Sequence, residues 1–181
     1  MKKFFSGKIL TVPNLLSFLR LGLVPLFTYL YIFRAEYSKV LILLVLSAIT
    51  DVLDGFIARR FDMVSDLGKA LDPLADKLTQ AAILFCLAGR YPLMLLPLLL
   101  LIVKELCCAI LSLAAIARTD TVESADWHGK LNTALLYALS ALHLAVPGIS
   151  SAFSNAFILV CTGVMSLSFA LYIRRFLRIT H

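Results

Sequence analysis

Six long apolar stretches, separated by short polar or glycine- and proline-containing segments, account for most of the 181-residue chain. A helix that spans a membrane needs about 20 consecutive, predominantly apolar residues. The pattern therefore predicts an all-α integral membrane protein. No soluble appendage or internal repeat interrupts it, so we expect a single membrane domain over residues 1–181. The six transmembrane helices are predicted at residues 12–33, 40–60, 70–88, 93–116, 131–146 and 156–176.

The first ten residues precede these spans and mix basic with large apolar side chains. Lys2, Lys3 and Lys8 are interspersed with Phe4 and Phe5. This composition predicts a short interfacial helix lying on the membrane surface. A frayed basic tail is the alternative. No small-residue cleavage site follows, so we expect the segment to be retained.

Composition agrees with a membrane protein and argues against a nucleic-acid partner. The chain is 61% hydrophobic with a mean hydropathy of +0.93, whereas soluble domains are about half apolar. The net charge is +6, but most basic residues bracket apolar spans and form no stripe that would bind nucleic acid. The four cysteines lie within apolar runs without metal-site spacing. His143 is interpreted as a helix-interface residue and not as a ligand.

The distribution of basic residues predicts how the chain is oriented. Six spans place both termini on one side of the membrane. The segments that would face the other side contain three of the 17 lysines and arginines, namely Arg34, Lys39 and Arg90. The side richer in these residues is cytoplasmic by the positive-inside rule. We therefore expect a multi-pass protein of the bacterial cytoplasmic membrane, with both termini on the cytoplasmic side.

Four aspartates stand at the end of the second span and the start of the third, where charge is costly. Asp51 and Asp54 are three residues apart and Asp72 and Asp76 four apart, so each pair shares a helix face. A hairpin between the two spans would turn these faces toward each other. Carboxylates that converge in a poorly solvated cleft cannot all ionise without cations. Mg²⁺ takes carboxylate oxygens and leaves positions for phosphate, and paired ions recur in displacement at phosphorus.

Small residues and one arginine accompany the aspartates. A glycine inside a helix costs about 1 kcal/mol relative to alanine, which is understandable where a ligand approaches the backbone. Gly55 and Gly68 are such glycines, and Ala58 is also small and lies on the acidic face. Arg59 offers a planar donor fork suited to phosphate. Small residues at such spacing also pack membrane helices together, so Gly55 or Ala58 alone would be compatible with packing only.

The ordered set from Asp51 to Asp76 reads D-x-x-D-G-x-x-A-R, eight further residues, then G-x-x-x-D-x-x-x-D. It resembles the signature of the CDP-alcohol phosphotransferase (phosphatidyltransferase) family at every fixed position. The resemblance extends to the six-span layout and the length, and is nearest to the phosphatidylglycerophosphate synthases. It implies an integral membrane enzyme, usually a homodimer, that uses two Mg²⁺ or Mn²⁺ ions. Such enzymes join an alcohol to the phosphatidyl group of CDP-diacylglycerol and release CMP.

The resemblance also implies a role for each matched residue. Asp76 matches the last aspartate, which lies at the metal site and serves as the catalytic general base. The other roles fall on side chains of the same signature. The matched positions are Asp51, Asp54, Asp72 and Asp76 for the metal ions, Gly55, Ala58 and Gly68 for the cytidine nucleotide, and Arg59 for the diphosphate.

A polar stripe runs along the first predicted span. Asn14, Ser17 and Arg20 are three residues apart, which places them on one face of an otherwise apolar helix. They resemble the N-x-L-[ST]-x-x-R opening of phosphatidylglycerophosphate synthases and of the cardiolipin synthases in this family. We expect the stripe to face the cleft and help hold the nucleotide lipid. A cap and interface anchor is the alternative.

Basic residues farther along the chain are candidates for the acceptor site. Lys104 and Glu105 lie mid-span, where the synthases usually have Arg-Glu, and Lys130 lies in a segment resembling their W-x-G-K-x-x-T. Lys104 and Lys130 could hold the phosphate of glycerol 3-phosphate as point charges. Arg118 either joins this anionic site or only follows the positive-inside rule.

The predicted function is transfer of a phosphatidyl group from CDP-diacylglycerol to glycerol 3-phosphate, with the active site on the cytoplasmic side. The first alternative is a cardiolipin synthase that uses phosphatidylglycerol, or another CDP-diacylglycerol-dependent phosphatidyltransferase. A transporter for divalent ions or small anions is a hypothesis of another class, and it predicts ion flux without CMP. A catalytically silent scaffold is the third, although it gives no reason to keep four aspartates in a membrane.

Overall fold

This computed structural model describes residues 12–60, 66–119 and 127–180, and every structural statement refers to them. The described chain is helical, without strands. A short 3-10 turn, Pro92–Met94, precedes the fourth long helix. The long helices are α1 (Val12–Arg34), α2 (Tyr37–Arg60), α3 (Asp66–Ala88), α4 (Leu95–Thr119), α5 (Trp127–Ala145) and α6 (Ser151–Thr180).

The predicted all-α architecture is confirmed within the described ranges, which contain six long α-helices in the predicted order. Three stretches of them are long and apolar enough to cross a membrane: Asn14–Arg34, Pro92–Leu111 and Ser151–Arg174. Leu131–Ala145 is a shorter apolar helix. These findings support an integral membrane protein, and six spans remain a prediction. The predicted interfacial helix falls in residues 1–11, outside the described residues.

The last helix begins earlier than hydropathy predicts, at Ser151 and not at residue 156. Ser150 caps it, since its hydroxyl oxygen accepts from the Phe153 N–H at 3.4 Å and its carbonyl from the Ser154 N–H at 2.9 Å. Serine is favoured at this position because its oxygen pairs with an N–H that has no partner within the helix. The polar start of α6 hid the helix from a hydropathy criterion, and α3 and α5 likewise begin four residues before their predicted spans.

A tight turn joins α1 to α2. Ala35 has a φ of 52°, a left-handed conformation that is uncommon for a residue with a side chain. The N–H of Glu36 donates to the Leu30 carbonyl at 3.2 Å, and the Glu36 carboxylate pairs with Lys39 at 2.6 Å. Because two residues separate the helices, α1 and α2 form a helical hairpin.

Many large apolar side chains are exposed on the helices, while a set of polar side chains is buried together with an apolar core. Phe33, Ile110 and Leu167 are each more than 60% exposed. Buried polar groups in a membrane protein face other helices and mark sites or helix contacts. By internal contacts the chain forms two compact units, one with α1, α2 and α3 up to Cys86, and one from Leu87 onward. Buried polar residues include Asn14, Ser17, Arg20, Ser47, Thr79, Gln80, Lys104, Asn132, Ser140, His143, Ser154 and Ser168.

Candidate active site

The polar stripe of α1 lies in the interior of the first unit. Asn14, Ser17 and Arg20 are all buried, with 1% or less of each residue exposed. Their neighbours Leu15 and Phe18 are exposed. The three-residue spacing keeps the polar side chains on one face. The helix therefore presents its polar face to the protein and its apolar face to the surroundings.

Two residues of this stripe, Ser17 and Arg20, each bind a carboxylate on another helix. The Ser17 hydroxyl donates to Oδ1 of Asp72 on α3. The Arg20 guanidinium donates to Oδ1 of Asp51 on α2, with Nη1 2.5 Å from that oxygen. Because Ser17 and Arg20 are one turn apart on α1, the two aspartates converge on the same part of that helix. Asp51 keeps 44% of its side chain exposed, whereas the Arg20 side chain has 1%.

Asp76 lies one turn after Asp72 on α3 and is surrounded by donors of its own helix. Nε2 of Gln80 lies 3.4 and 3.5 Å from the two carboxylate oxygens, and Nζ of Lys77 lies 3.9 Å from one. Gln80 is buried, and its Oε1 has no hydrogen-bond partner in the described part of the chain. Gln80 is not among the residues predicted from the sequence. Its four-residue spacing from Asp76 was the available signal.

The remaining residues of the signature are only partly described. Gly68 is buried in the first turn of α3, one turn before Asp72. The other residues lie in the last turns of α2, and their side chains fall outside the description. Their predicted contacts with the nucleotide and the ions therefore stay predictions. These residues are Asp54, Gly55, Ala58 and Arg59.

The predicted acceptor residues belong to the second unit. Lys104 is buried on α4, with Nζ 3.5 Å from Oε1 of Glu105. Arg118 lies in the last turn of α4 and Lys130 in the first turn of α5, but their side chains are outside the description. The described side chains thus include one of the three predicted acceptor ligands, and a shared phosphate site remains a prediction.

The donor chemistry of the α2 and α3 aspartates fits a hard divalent cation. Asp51 and Asp72 offer carboxylate oxygens, which Mg²⁺ and Mn²⁺ prefer. A guanidinium and a hydroxyl donor already face these oxygens, so the site is arranged to compensate negative charge. No three His, Cys, Asp or Glu side chains form a metal-sized cluster among the described residues. The predicted ligand Asp54 is not among those side chains.

A second polar cluster lies within the second unit, around His143. Its Nδ1 is 2.8 Å from the Leu139 carbonyl oxygen and its Nε2 is 2.8 Å from Oγ of Ser154. A carbonyl cannot donate, so Nδ1 carries the proton, and Nε2 of the neutral ring accepts from the serine hydroxyl. The Tyr91 ring packs edge-on at 4.7 Å, and its hydroxyl donates to the Pro147 carbonyl at 3.0 Å. The cluster joins helices, in agreement with the interpretation of His143.

Comparison with known proteins places these features in a family context. A sequence model described as CDP-alcohol phosphatidyltransferase matches residues 10–171. A CDP-diacylglycerol–glycerol-3-phosphate 3-phosphatidyltransferase of Aquifex aeolicus is 33% identical over 87% of this chain and 86% of its own length.

Two further relatives carry another name and match a shorter stretch. A cardiolipin synthase (CMP-forming) of Streptomyces coelicolor is 42% identical over 55% of this chain and 49% of its own length. A cardiolipin synthase (CMP-forming) / mitochondrial hydrolase fusion protein of Schizosaccharomyces pombe is 49% identical over 45% of this chain and 14% of its own length. The chain thus matches half or less of the length of these two relatives.

Proposed function

The chain belongs to the CDP-alcohol phosphatidyltransferase family, and from this premise we propose that it transfers the phosphatidyl group of CDP-diacylglycerol to glycerol 3-phosphate. The products would be phosphatidylglycerophosphate and CMP, a step of phospholipid biosynthesis. The observation that carries the proposal is the convergence of Asp51 and Asp72, from two helices, on one part of α1. Both residues belong to the acidic signature, and their convergence supports a shared ion site.

The four signature aspartates are the proposed metal ligands. They offer only hard oxygen donors, and two of them are held close to one helix. Two Mg²⁺ or Mn²⁺ ions, when bound, would supply positive charge to the diphosphate oxygens and the departing CMP. The proposed ligands are Asp51, Asp54, Asp72 and Asp76.

Asp76 is the proposed general base. Its carboxylate would take the proton of the acceptor hydroxyl as that oxygen forms a bond to the lipid-side phosphorus. The bond between this phosphorus and the CMP oxygen breaks in the same displacement. Gln80 and Lys77, which face the Asp76 oxygens, would keep the carboxylate oriented toward the hydroxyl.

The remaining predicted residues divide between the two substrates. The buried polar stripe of α1 and the buried Gly68 support an interior site for the nucleotide part of CDP-diacylglycerol. For the acceptor phosphate in the second unit the support is the family resemblance at Lys104, a buried lysine that also pairs with Glu105 at 3.5 Å. For CDP-diacylglycerol the proposed residues are Asn14, Ser17, Arg20, Gly55, Ala58, Arg59 and Gly68, and for the acceptor phosphate Lys104, Arg118 and Lys130.

A cardiolipin synthase with phosphatidylglycerol as acceptor is the second candidate. The Streptomyces relative of that name is more identical to this chain than the Aquifex glycerol-3-phosphate relative, but over a shorter stretch. The Aquifex relative matches over most of both chains, and this favours glycerol 3-phosphate as the acceptor. Phosphatidylglycerol also carries a phosphate, so Lys104 does not distinguish the two acceptors.

We also propose a membrane topology and an oligomeric state for this protein. The proposed topology has six crossings, with the termini and active site toward the cytoplasm of a bacterial cell. Three of the described helices are long and apolar enough to span, and the distribution of basic residues supports the orientation. The family resemblance supports a homodimer. Membrane lipids would then surround the exposed apolar faces while the charged site meets water at the interface.

The test is release of CMP by the purified protein with CDP-diacylglycerol and Mg²⁺, adding one acceptor at a time. We expect release to require glycerol 3-phosphate and to fall by at least about 100-fold in Asp76→Asn, which cannot act as a base. Glu36→Gln is the matched control, since this carboxylate pairs with Lys39 at the α1–α2 turn. It should leave the rate unchanged.

Other outcomes would change the assignment. Release only with phosphatidylglycerol would identify a cardiolipin synthase. Absence of CMP with every acceptor would overturn the enzymatic proposal, and ion-flux measurements in vesicles would then test the transporter hypothesis.

A further inference from the structure

The α1 stripe places a cation and a hydroxyl donor on the same carboxylates that are proposed to bind divalent ions. Arg20 pairs with Asp51 at 2.5 Å, and Ser17 donates to Asp72. Both α1 residues are buried. The contacts therefore belong to the interior of the first unit and are not incidental surface pairs.

Burial makes the Arg20 pair consequential. A guanidinium removed from water needs an anionic partner, because an uncompensated buried charge is strongly destabilising. Its partner Asp51 keeps 44% of its side chain exposed, so ions can approach it from solvent. A divalent ion that binds Asp51 meets the positive charge of Arg20 at short range, and the two repel. The Ser17 hydroxyl similarly occupies a lone pair of Asp72 that an ion would use.

We propose that Arg20 and Ser17 are positioning residues that hold Asp51 and Asp72 together before divalent ions arrive, and that they lower the affinity of the site for those ions. The inference rests on the proposed function only in taking Asp51 and Asp72 as ion ligands. It gives α1 a role distinct from contact with the nucleotide lipid.

The proposal predicts opposite effects on two measurements. Removing the Arg20 charge should destabilise the ion-free protein, because Asp51 loses its partner, and should tighten ion binding, because the repelling charge is gone. A purely structural anchor would lower stability without tightening ion binding. A residue that only holds the nucleotide lipid would leave the affinity for a metal ion unchanged.

The experiment titrates Mn²⁺ alone into the full-length, substrate-free protein in detergent and follows free Mn²⁺ by electron paramagnetic resonance, with thermal unfolding in parallel. Arg20→Gln should bind Mn²⁺ roughly two- to fivefold more tightly, the range of a partly exposed ion pair, and should unfold at a lower temperature without ions. Arg20→Lys keeps the charge and should restore weaker binding. Ser17→Ala should show a smaller tightening.

Two controls separate this inference from the proposed function. Arg34→Gln changes the same residue type at the exposed end of α1 and should alter neither measurement. Asp72→Asn should weaken Mn²⁺ binding. Unchanged or weaker binding in both Arg20→Gln and Ser17→Ala, with Asp72→Asn still deficient, would overturn the inference alone. Failure of the unaltered protein to bind Mn²⁺ would overturn it together with the proposed metal site. Ser17→Ala also decides the question if Arg20→Gln does not fold.

Discussion

Two buried polar clusters in the described part of the chain, one on α1 to α3 and one around His143, differ in charge and in how fully their polar groups are paired. The first contains an ion pair whose carboxylate, Asp51, remains 44% exposed. The second is neutral: His143 and Ser154 are buried, and both ring nitrogens have partners at 2.8 Å. One cluster keeps carboxylates accessible to solvent, and the other pairs its ring within the protein.

This difference agrees with the proposed role of the first cluster in binding ions and with a packing role for the second. A buried network whose donors meet acceptors makes the helix packing more rigid and specific. Charged groups brought together inside a membrane protein are costly and are retained where ions or substrates need them. The proposed chemistry therefore falls on the first cluster, and helix association falls on the second.

The largest expected effect is on catalysis and tests the first assignment. Asp51→Asn removes a proposed metal ligand, so CMP release should fall by at least about 100-fold. Because the substitution leaves the buried Arg20 guanidinium without its anion, the free energy of unfolding should also fall, by about 3 kcal/mol. Parallel rate and unfolding measurements check this. A rate that falls only in proportion to the unfolded fraction would make Asp51 a structural residue.

A loss of stability without a loss of rate is expected at His143. His143→Ala removes both ring hydrogen bonds and leaves a small cavity, so the free energy of unfolding should fall by about 2–3 kcal/mol. The CMP-release rate per folded molecule should be retained. Ser166→Ala is the matched control, since this exposed serine donates to the Thr162 carbonyl within one helix. Loss of rate in a fully folded His143→Ala protein would erase the distinction between the clusters.

A smaller loss of stability is expected from a substitution at the edge of the second cluster. Tyr91→Phe keeps the ring against His143 but removes the hydroxyl that donates to Pro147. We expect a loss of about 0.5–1 kcal/mol in the free energy of unfolding and an unchanged rate. Thermal unfolding of the pure protein measures it, and a loss as large as that of His143→Ala would show that the hydroxyl carries the whole cluster.

The sequence predicted which face of a helix is buried better than it predicted which side chain each buried residue contacts. The three-residue spacing of Asn14, Ser17 and Arg20 placed these side chains on one face of α1, and that face is buried. Periodicity does not specify which carboxylate each residue meets, because this depends on how α2 and α3 pack against α1. The pairs Ser17–Asp72 and Arg20–Asp51 therefore required the structure.

Other differences between the sequence predictions and the structure have local causes. Gln80 was not predicted because its neutral side chain lies in an apolar run and belongs to no motif, although it lies one turn from Asp76. The early start of α6 was missed because hydropathy ignores capping, although Ser150 is a favoured cap residue. His143 was predicted as an interface residue, but Ser154 as its partner depends on packing between α5 and α6.

The burial of Arg20 has a consequence for how the protein enters the membrane. Arg20 lies in a helix apolar enough to span, and an arginine at the centre of an inserting helix costs roughly 2.5–3.5 kcal/mol. Its compensating carboxylate is 31 residues farther along the chain, so α1 emerges from the ribosome before its counter-charge does. Insertion of α1 and α2 as a pair, closed by the tight turn at Ala35, would spare the lipid an unpaired arginine. The ion pair would then guide membrane integration during synthesis, long before any substrate is bound.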